Sequence, residues 1–174
     1  MTQSMFLSLE QQREIHNQTG WSDNVISQIR SMEEAAIYMK AGLVERNIGG
    51  RVALIKTDIN WSDYSVRRNT WLKEYLAGWY KWAKYNNADL IGEGYPPREM
   101  NGRPYELHHI GQEQDSPFAE LTRDEHMGDG NNPILHPSRE SKIYRDQFDN
   151  EKSLYWQARF NAFTQDELNK IYQK

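Results

Sequence analysis

Four of the five histidines in this 174-residue chain lie between positions 108 and 136, and two of them, His108 and His109, are adjacent. Imidazole is the commonest protein ligand for divalent transition metals, and it is the side chain that most readily takes up a proton near neutral pH. Consecutive residues of a strand point to opposite faces, so an adjacent pair can direct one ring to a metal and the other to a substrate. The cluster therefore predicts a metal site with a base beside it. His16, far outside the cluster, is interpreted as a structural residue.

The segment that carries the cluster must fold so that the histidines meet. Its pattern predicts strand, loop, strand and helix, in the order 104–110, 111–116, 118–121 and 122 onward. His108 at the end of the first strand and His126 in the helix converge when the two strands pair. His136, just past the GDGNN loop, can complete the site.

Helix signals dominate the N-terminal part of the chain. Four apolar residues from Trp21 to Ile29 are spaced by four, one and three positions, which puts them on one helical face. Ser31 and Glu34 have the spacing of a capping box, and they predict a second helix that ends at Gly42.

The middle of the chain predicts a hairpin, an aromatic helix and a loop. Residues 43–56 place short aliphatic segments around Gly49–Gly50, which is typical of a tight β-hairpin. Residues 66–85 carry Trp, Tyr and Leu at helical spacing, and core packing is the simpler interpretation, with stacking on exposed bases as the alternative. The Gly- and Pro-rich segment 91–104 is predicted to be irregular and to form a domain boundary, and helical spacing returns from 144 to about 163.

The composition excludes several classes of protein. Hydrophobic residues make up 37% of the chain, with six Trp and ten Tyr, which is too much apolar mass for a disordered protein. No apolar run approaches the roughly 20 residues of a membrane span, and the N-terminus lacks the order of a signal peptide. Because cysteine is absent, any metal must be held by nitrogen and oxygen.

The net charge of −4 argues against a protein that coats nucleic acid non-specifically, because such binding requires many cations against phosphates. It leaves room for a nuclease with a local cationic surface. The candidate cations for such a surface are Arg103, Arg123, Arg139, Lys142 and Arg145.

Three motifs occur in a fixed order: ELHHIG, then SPFAELTRDEH, then GNNPILHP. Together they resemble the LHH branch of the HNH/endonuclease VII nucleases, which are found as toxin modules of bacterial polymorphic toxin systems. The resemblance covers roughly residues 100–160. It implies a C-terminal ββα-metal nuclease module at 98–174. From the resemblance and the patterns described above, we expect an α+β fold, mostly helical, with a helical region 1–97 that contains a small β-hairpin near 43–56.

The resemblance also implies roles for individual residues. His108 corresponds to a metal ligand at the end of the first strand, and His109 to the general base that activates water. His126 and His136 correspond to the remaining metal ligands. Glu106 lies two residues before His108 on the same strand face, so it can act as an added ligand or as an acceptor that orients one.

The sequence departs from the wider family at the asparagine that orients the base. The corresponding neighbourhood reads Gln114, Asp115, Ser116 and Pro117. Asp115, Ser116 or the backbone could supply the acceptor that fixes the second nitrogen of His109. The candidates for contacts with substrate phosphate are Arg103, Arg139 and Lys142.

The three imidazoles favour a bound Zn²⁺, with Mg²⁺, Mn²⁺ or Ni²⁺ as alternatives for catalysis. The resemblance implies hydrolysis of phosphodiester bonds in DNA, secretion as toxin cargo that acts in the cytoplasm of a target bacterium, and a cognate immunity protein. Two other hypotheses remain open. One is a toxin that cleaves RNA, and the other is a noncatalytic module that uses metal only to fold.

Overall fold

The computed structural model describes residues 6–64, 84–137 and 143–173. The chain forms two compact units, one from residues 1–57 and 106–145 and the other from residues 58–105 and 146–174. The units alternate along the chain, whereas the sequence predicted consecutive regions 1–97 and 98–174. The division into domains at residues 97 and 98 stays a prediction.

Eight α-helices and four strands lie within the described residues. In chain order they are α1 (Leu9–Thr19), α2 (Asp23–Ile26), α3 (Met32–Lys40), β1 (Val44–Ile48), β2 (Arg51–Ile55), α4 (Asn87–Gly92), β3 (Glu106–His109), β4 (Phe118–Leu121), α5 (Arg123–Met127), α6 (Asn131–Leu135), α7 (Arg145–Asn161) and α8 (Gln165–Ile171). A short 3₁₀ turn, Ile110–Gln112, follows β3. The helices and the small mixed sheet confirm the predicted α+β class.

Helix α1 was not predicted from the sequence. Ser8 and Gln11 form a capping box at its start, and Gly20 ends it in the left-handed conformation. Its side chains are mostly polar, and the residues that it buries are Gln12 and Ile15. Such a sparse apolar face gives too weak a periodic signal for sequence reasoning to detect.

The predicted helices near Trp21 and Ser31 are confirmed, although the first is shorter than its apolar pattern suggested. Helix α2 has four residues. The four apolar side chains of the pattern are buried, two of them within the helix and one on each side of it: Trp21, Val25, Ile26 and Ile29. Ser31 caps α3 by accepting a hydrogen bond from the backbone of Glu34. The carboxylate of Glu34 does not complete a capping box, because its oxygens accept hydrogen bonds elsewhere.

The sheet has the strand order β1-β2-β4-β3. The antiparallel pair β1–β2, with Ile48 opposite Arg51, confirms the predicted hairpin. The antiparallel pair β3–β4, with His108 opposite Ala119, confirms the predicted strand pairing of the histidine segment. The parallel contact between β2 and β4, which starts at Ala53 and Phe118, was not predicted. It joins the hairpin and the histidine segment in one sheet.

One hydrophobic core underlies this sheet. It combines apolar residues of α1 to α3 with Leu54 of β2 and with Ala119 and Leu121 of β4. Each fully buried apolar side chain contributes about 1.5–3 kcal/mol to the stability of the fold. The shared core therefore stabilises the packing of the N-terminal helices against the strands of the histidine segment.

The second unit is organised around polar and aromatic contacts. The side chain of Asn87 donates to the carbonyls of Asn60 and Arg98 and accepts from the backbone of Arg98. The ring of Trp61 packs edge-on against Phe163, with centroids 5.1 Å apart. The predicted aromatic helix at 66–85 lies, apart from its last two residues, outside the described residues.

Candidate metal centre

Three imidazoles meet at one end of the sheet. His108 is on β3, His126 is on α5 and His136 follows α6. One ring nitrogen from each histidine lies within 4.8 Å of the other two. The Nε2 atoms of His126 and His136 are 3.2 Å apart. Residues 28 positions apart in sequence thus reach one small volume.

The outer nitrogens of two of these rings are held by acceptors. Nδ1 of His126 donates to Oε1 of Glu106 over 2.8 Å. Nδ1 of His136 donates to the side-chain oxygen of Asn132 over 2.8 Å and to its carbonyl over 3.0 Å. A neutral imidazole carries one proton, so a ring that donates from Nδ1 has a lone pair on Nε2. The Nε2 atoms of His126 and His136 can therefore share a cation, or form a hydrogen bond where one of them carries a proton.

His108 supplies the third nitrogen from a buried position. The residue is 4% exposed, and its Nε2 has no hydrogen-bond partner within the described residues. Burial, together with the nearby charges of His126 and His136, holds the pKa of His108 well below its usual value. Burial and His126 also lower the pKa of His136. Both rings are therefore neutral near pH 7, which is the form that binds a metal.

The donor set fits a divalent cation. Zn–N distances of 2.0–2.1 Å in a tetrahedral site give nitrogen separations of about 3.3 Å, close to the observed 3.2 Å between His126 and His136. The buried Nε2 of His108, without a partner among the described residues, is unfavourable in the absence of an ion. The three histidines are thus a candidate metal site.

Helix α5, which carries His126, is fixed at its first turn. Thr122 and Glu125 form a capping box there. The buried ammonium of Lys56, just after β2, contacts both carboxylate oxygens of Glu125 at 2.9 and 3.0 Å. The side chain of Asn131 donates to the carbonyl of Glu125, which joins α5 to α6. These contacts set the distance between the helix and the sheet.

Glu106 links β3 to the same helix. Its oxygens accept hydrogen bonds from His126 and, over 3.1 Å, from Arg123. Burial acts to raise the pKa of Glu106, but these two partners outweigh it and the pKa is lowered. The carboxylate is therefore ionised and accepts a hydrogen bond from the ring of His126. Its role, as an added ligand or as an acceptor that orients one, stays a prediction.

The comparison with protein families agrees with this geometry. Residues 86–162 match the LHH model, described as a nuclease of the HNH/ENDO VII superfamily with conserved LHH. Residues 86–162, called the LHH region below, are thus similar to this family. No curated protein and no solved structure gives a significant match to the chain. Among the described residues, no helix combines the length and apolar character that crossing a membrane requires.

The motif of the LHH region is Leu107, His108 and His109 on β3. Side chains alternate along the strand, and His109 is not in the three-histidine group. Its ring packs edge-on against Phe118, with centroids 4.8 Å apart, and the residue is 3% exposed. The adjacent histidines therefore occupy different environments. The role of His109 as a base stays a prediction.

The acceptor that orients His109 also stays a prediction. Asp115 is exposed, and the hydroxyl of Ser116 donates to the carbonyl of Glu113 over 2.8 Å. Of the predicted phosphate contacts, Arg103 is an exposed residue of the second unit. Arg139 and Lys142 are within residues 86–162 but outside the residues that the structure describes.

Sequence reasoning missed several residues that support the site. Asn132 is four positions before His136, and this helical spacing is a signal that could have found it. Thr122 and Glu125 have the T-x-x-E spacing of a capping box, which was also readable. Lys56 carries no such signal, because its partner is 69 positions away.

Proposed function

We propose that the protein is a metal-dependent nuclease that hydrolyses phosphodiester bonds, with DNA as its substrate. The observation that carries the proposal is the group of three histidine nitrogens within 4.8 Å of one another, inside a region of a nuclease family. A divalent ion held there would neutralise charge that develops on phosphate oxygens in the transition state. The remaining steps are assigned to side chains.

His108, His126 and His136 hold the ion, and Zn²⁺ is the ion expected to copurify with the protein. Glu106 and Asn132 keep the Nδ1 protons of His126 and His136 in place, so that each Nε2 is directed inward. Orienting acceptors of this kind also make a ligand more basic.

His109 is proposed as the general base. A ring nitrogen would take a proton from a water whose oxygen attacks phosphorus, and the P–O bond to the leaving oxygen would then break. Since His109 is 3% exposed, this role requires that its ring become accessible to water when substrate is bound. Arg103, Arg139 and Lys142 are proposed to contact substrate phosphates.

The biological setting is proposed from the resemblance to toxin modules. The chain would act as secreted cargo in the cytoplasm of a target bacterium, and a cognate immunity protein would protect the producer. Co-purification of the chain with the product of a neighbouring reading frame, and loss of cleavage in the complex, would support this setting. Unchanged cleavage in the presence of that product would contradict it.

The test of the proposed function is cleavage of supercoiled plasmid, single-stranded DNA and total RNA, each with and without a chelator. We expect DNA cleavage that the chelator abolishes. His109→Ala should bind metal as the wild type does and lose cleavage. His16→Ala is the matched control, because the ring of His16 is hydrogen-bonded to the carbonyl of Trp21 and lies outside the cluster. Cleavage of RNA alone would overturn the choice of substrate.

A noncatalytic metal-stabilised module is the second candidate, favoured by the burial of His109 beside Phe118. Binding energy at a small site is also folding energy, so metal alone can explain three converging histidines. Under this function His109→Ala lowers metal affinity and melting temperature, and the wild type cleaves no nucleic acid. Metal affinity and melting temperature of His109→Ala, together with cleavage by the wild type, therefore separate the two candidates.

A further inference from the structure

The loop that follows the LHH motif is anchored outside the LHH region. The backbone N–H of Gly111, two residues after His109, donates over 3.0 Å to Oε2 of Glu34 on α3. Glu34 precedes the matched residues 86–162 by more than fifty positions. The N-terminal helices thus make a direct polar contact with the backbone at the exit of β3.

Glu34 is a buried carboxylate with three donors. It is 2% exposed. Besides Gly111, it accepts hydrogen bonds from the hydroxyl of Tyr38 and, over 2.8 Å, from the backbone N–H of Arg30. All three partners donate, so only a carboxylate satisfies them together. An amide at this position would turn an N–H group toward another donor.

The same carboxylate reaches the metal centre through Tyr38. The hydroxyl of Tyr38 is bound to Glu34, and its ring lies 6.5 Å from the ring of His108, centroid to centroid. Glu34 therefore binds both the backbone beyond His109 and the hydroxyl of the tyrosine whose ring lies beside His108. Neither contact makes it a ligand.

The turn at Gly111 requires a glycine. Gly111 has φ +69°, and a Cβ there would overlap the carbonyl oxygen of Gln28. The preceding residue, Ile110, donates its N–H to the carbonyl of Pro117 over 3.0 Å. The exit of β3 is thus clamped between β4 on one side and residues 28–34 on the other.

We propose that Glu34 is a positioning residue of the metal centre, which makes α3 part of the catalytic unit rather than an appendage to the LHH region. It fixes the direction in which β3 presents His108 and His109. This inference rests on the proposed function, because it assigns Glu34 a role in the same site. It predicts that residues outside 86–162 control metal geometry.

The test compares Glu34→Gln with the wild type, using Co²⁺ alone as a spectroscopic probe of ligand geometry. Folding is first checked by circular dichroism, at a temperature well below the transition. We expect an altered Co²⁺ absorption spectrum and about 10-fold weaker Co²⁺ affinity, the size of effect typical of residues that orient ligands. Where the wild type cleaves DNA, kcat should fall while KM changes little.

Glu45→Gln is the matched control. Its carboxylate also accepts a backbone N–H, that of Ser22 over 2.8 Å, but it lies on β1. It should have the wild-type Co²⁺ spectrum and affinity. Tyr38→Phe keeps the ring and removes one donor to Glu34, and it should shift the spectrum in the same direction by less.

The outcomes separate the two proposals. A folded Glu34→Gln protein with the wild-type spectrum and affinity would overturn the positioning role and leave the nuclease proposal intact. If Glu34→Gln does not fold, Tyr38→Phe decides, and an unchanged spectrum for it overturns the role. A wild-type protein that binds no Co²⁺ would overturn the metal centre and the positioning role with it. If Glu34→Gln binds Co²⁺ differently from the wild type, and the wild type cleaves no nucleic acid, the positioning role is supported and the nuclease proposal is contradicted.

Discussion

The contact between Glu106 and His126 allows the outer shell of the metal centre to be tested quantitatively. Replacing Glu106 with Ala removes the acceptor for Nδ1 of His126 and leaves that ring free to rotate or change tautomer. Replacing it with Gln keeps an oxygen but removes the charge. A hydrogen bond to a charged group contributes about 1.5–3 kcal/mol and a neutral one about 0.5–1.5 kcal/mol, so Gln should cost about 1 kcal/mol.

That cost corresponds to about 5-fold weaker metal binding for Glu106→Gln. Glu106→Ala should be weaker by about 10- to 100-fold, as for other outer-shell acceptors. The affinity is measured by competition with a chromophoric chelator at fixed pH. Circular dichroism melting confirms that each variant is folded.

Glu106 also pairs with Arg123, and this contact needs its own control. The Arg123 side chain is 50% exposed, so the pair contributes at most about 1 kcal/mol to stability. Arg123→Ala removes the pair without touching His126, and it should change metal affinity by less than about 3-fold, because screening leaves such a pair little energy. Wild-type metal affinity in Glu106→Ala would refute the assignment of Glu106 as an orienting acceptor.

Three further predictions concern stability. The free energy of unfolding of the metal-free protein should decrease as the pH falls below 6.5, the usual pKa of histidine. The reason is that His108 takes up a proton in the unfolded chain but not when it is buried in the folded protein. In equilibrium unfolding, His108→Gln should therefore show a weaker dependence of stability on pH, and an unchanged dependence would contradict this assignment. Gly111→Ala should lower the free energy of unfolding by about 2–4 kcal/mol, since strain and overlap add. Gly20→Ala, at φ +74° in open space, should cost about 1–2 kcal/mol, and equal losses for the two would contradict the overlap. Lys56→Met should cost about 3 kcal/mol in urea unfolding by leaving Glu125 without its cation, and an unchanged midpoint would contradict that role.

The histidine segment was predictable because its signals are local. The order of strand, loop, strand and helix followed from alternation and from turn residues, and β4 occupies the predicted range Phe118–Leu121. The convergence of His108 and His126 then followed from antiparallel pairing of neighbouring strands. The hairpin was equally local, because Gly49 and Gly50 both take positive φ.

The supporting contacts were not predictable because they join distant parts of the chain. Glu34 and Gly111 are 77 positions apart, and Lys56 and Glu125 are 69 apart. A buried Glu or Lys has no distinctive neighbourhood in sequence, so its partner emerges only from the packing of sheet and helices. The parallel contact of β2 with β4 is nonlocal for the same reason.

In the proposed nuclease, His108, His126 and His136 share one ion, while His109 acts on the attacking water from outside that group. The most direct measurement is the metal content of purified His108→Ala and His109→Ala, taken together with their cleavage of plasmid DNA. We expect about one bound divalent ion in His109→Ala, as in the wild type, none in His108→Ala, and cleavage in neither. Full metal content in His108→Ala, or wild-type cleavage by His109→Ala, would contradict the account.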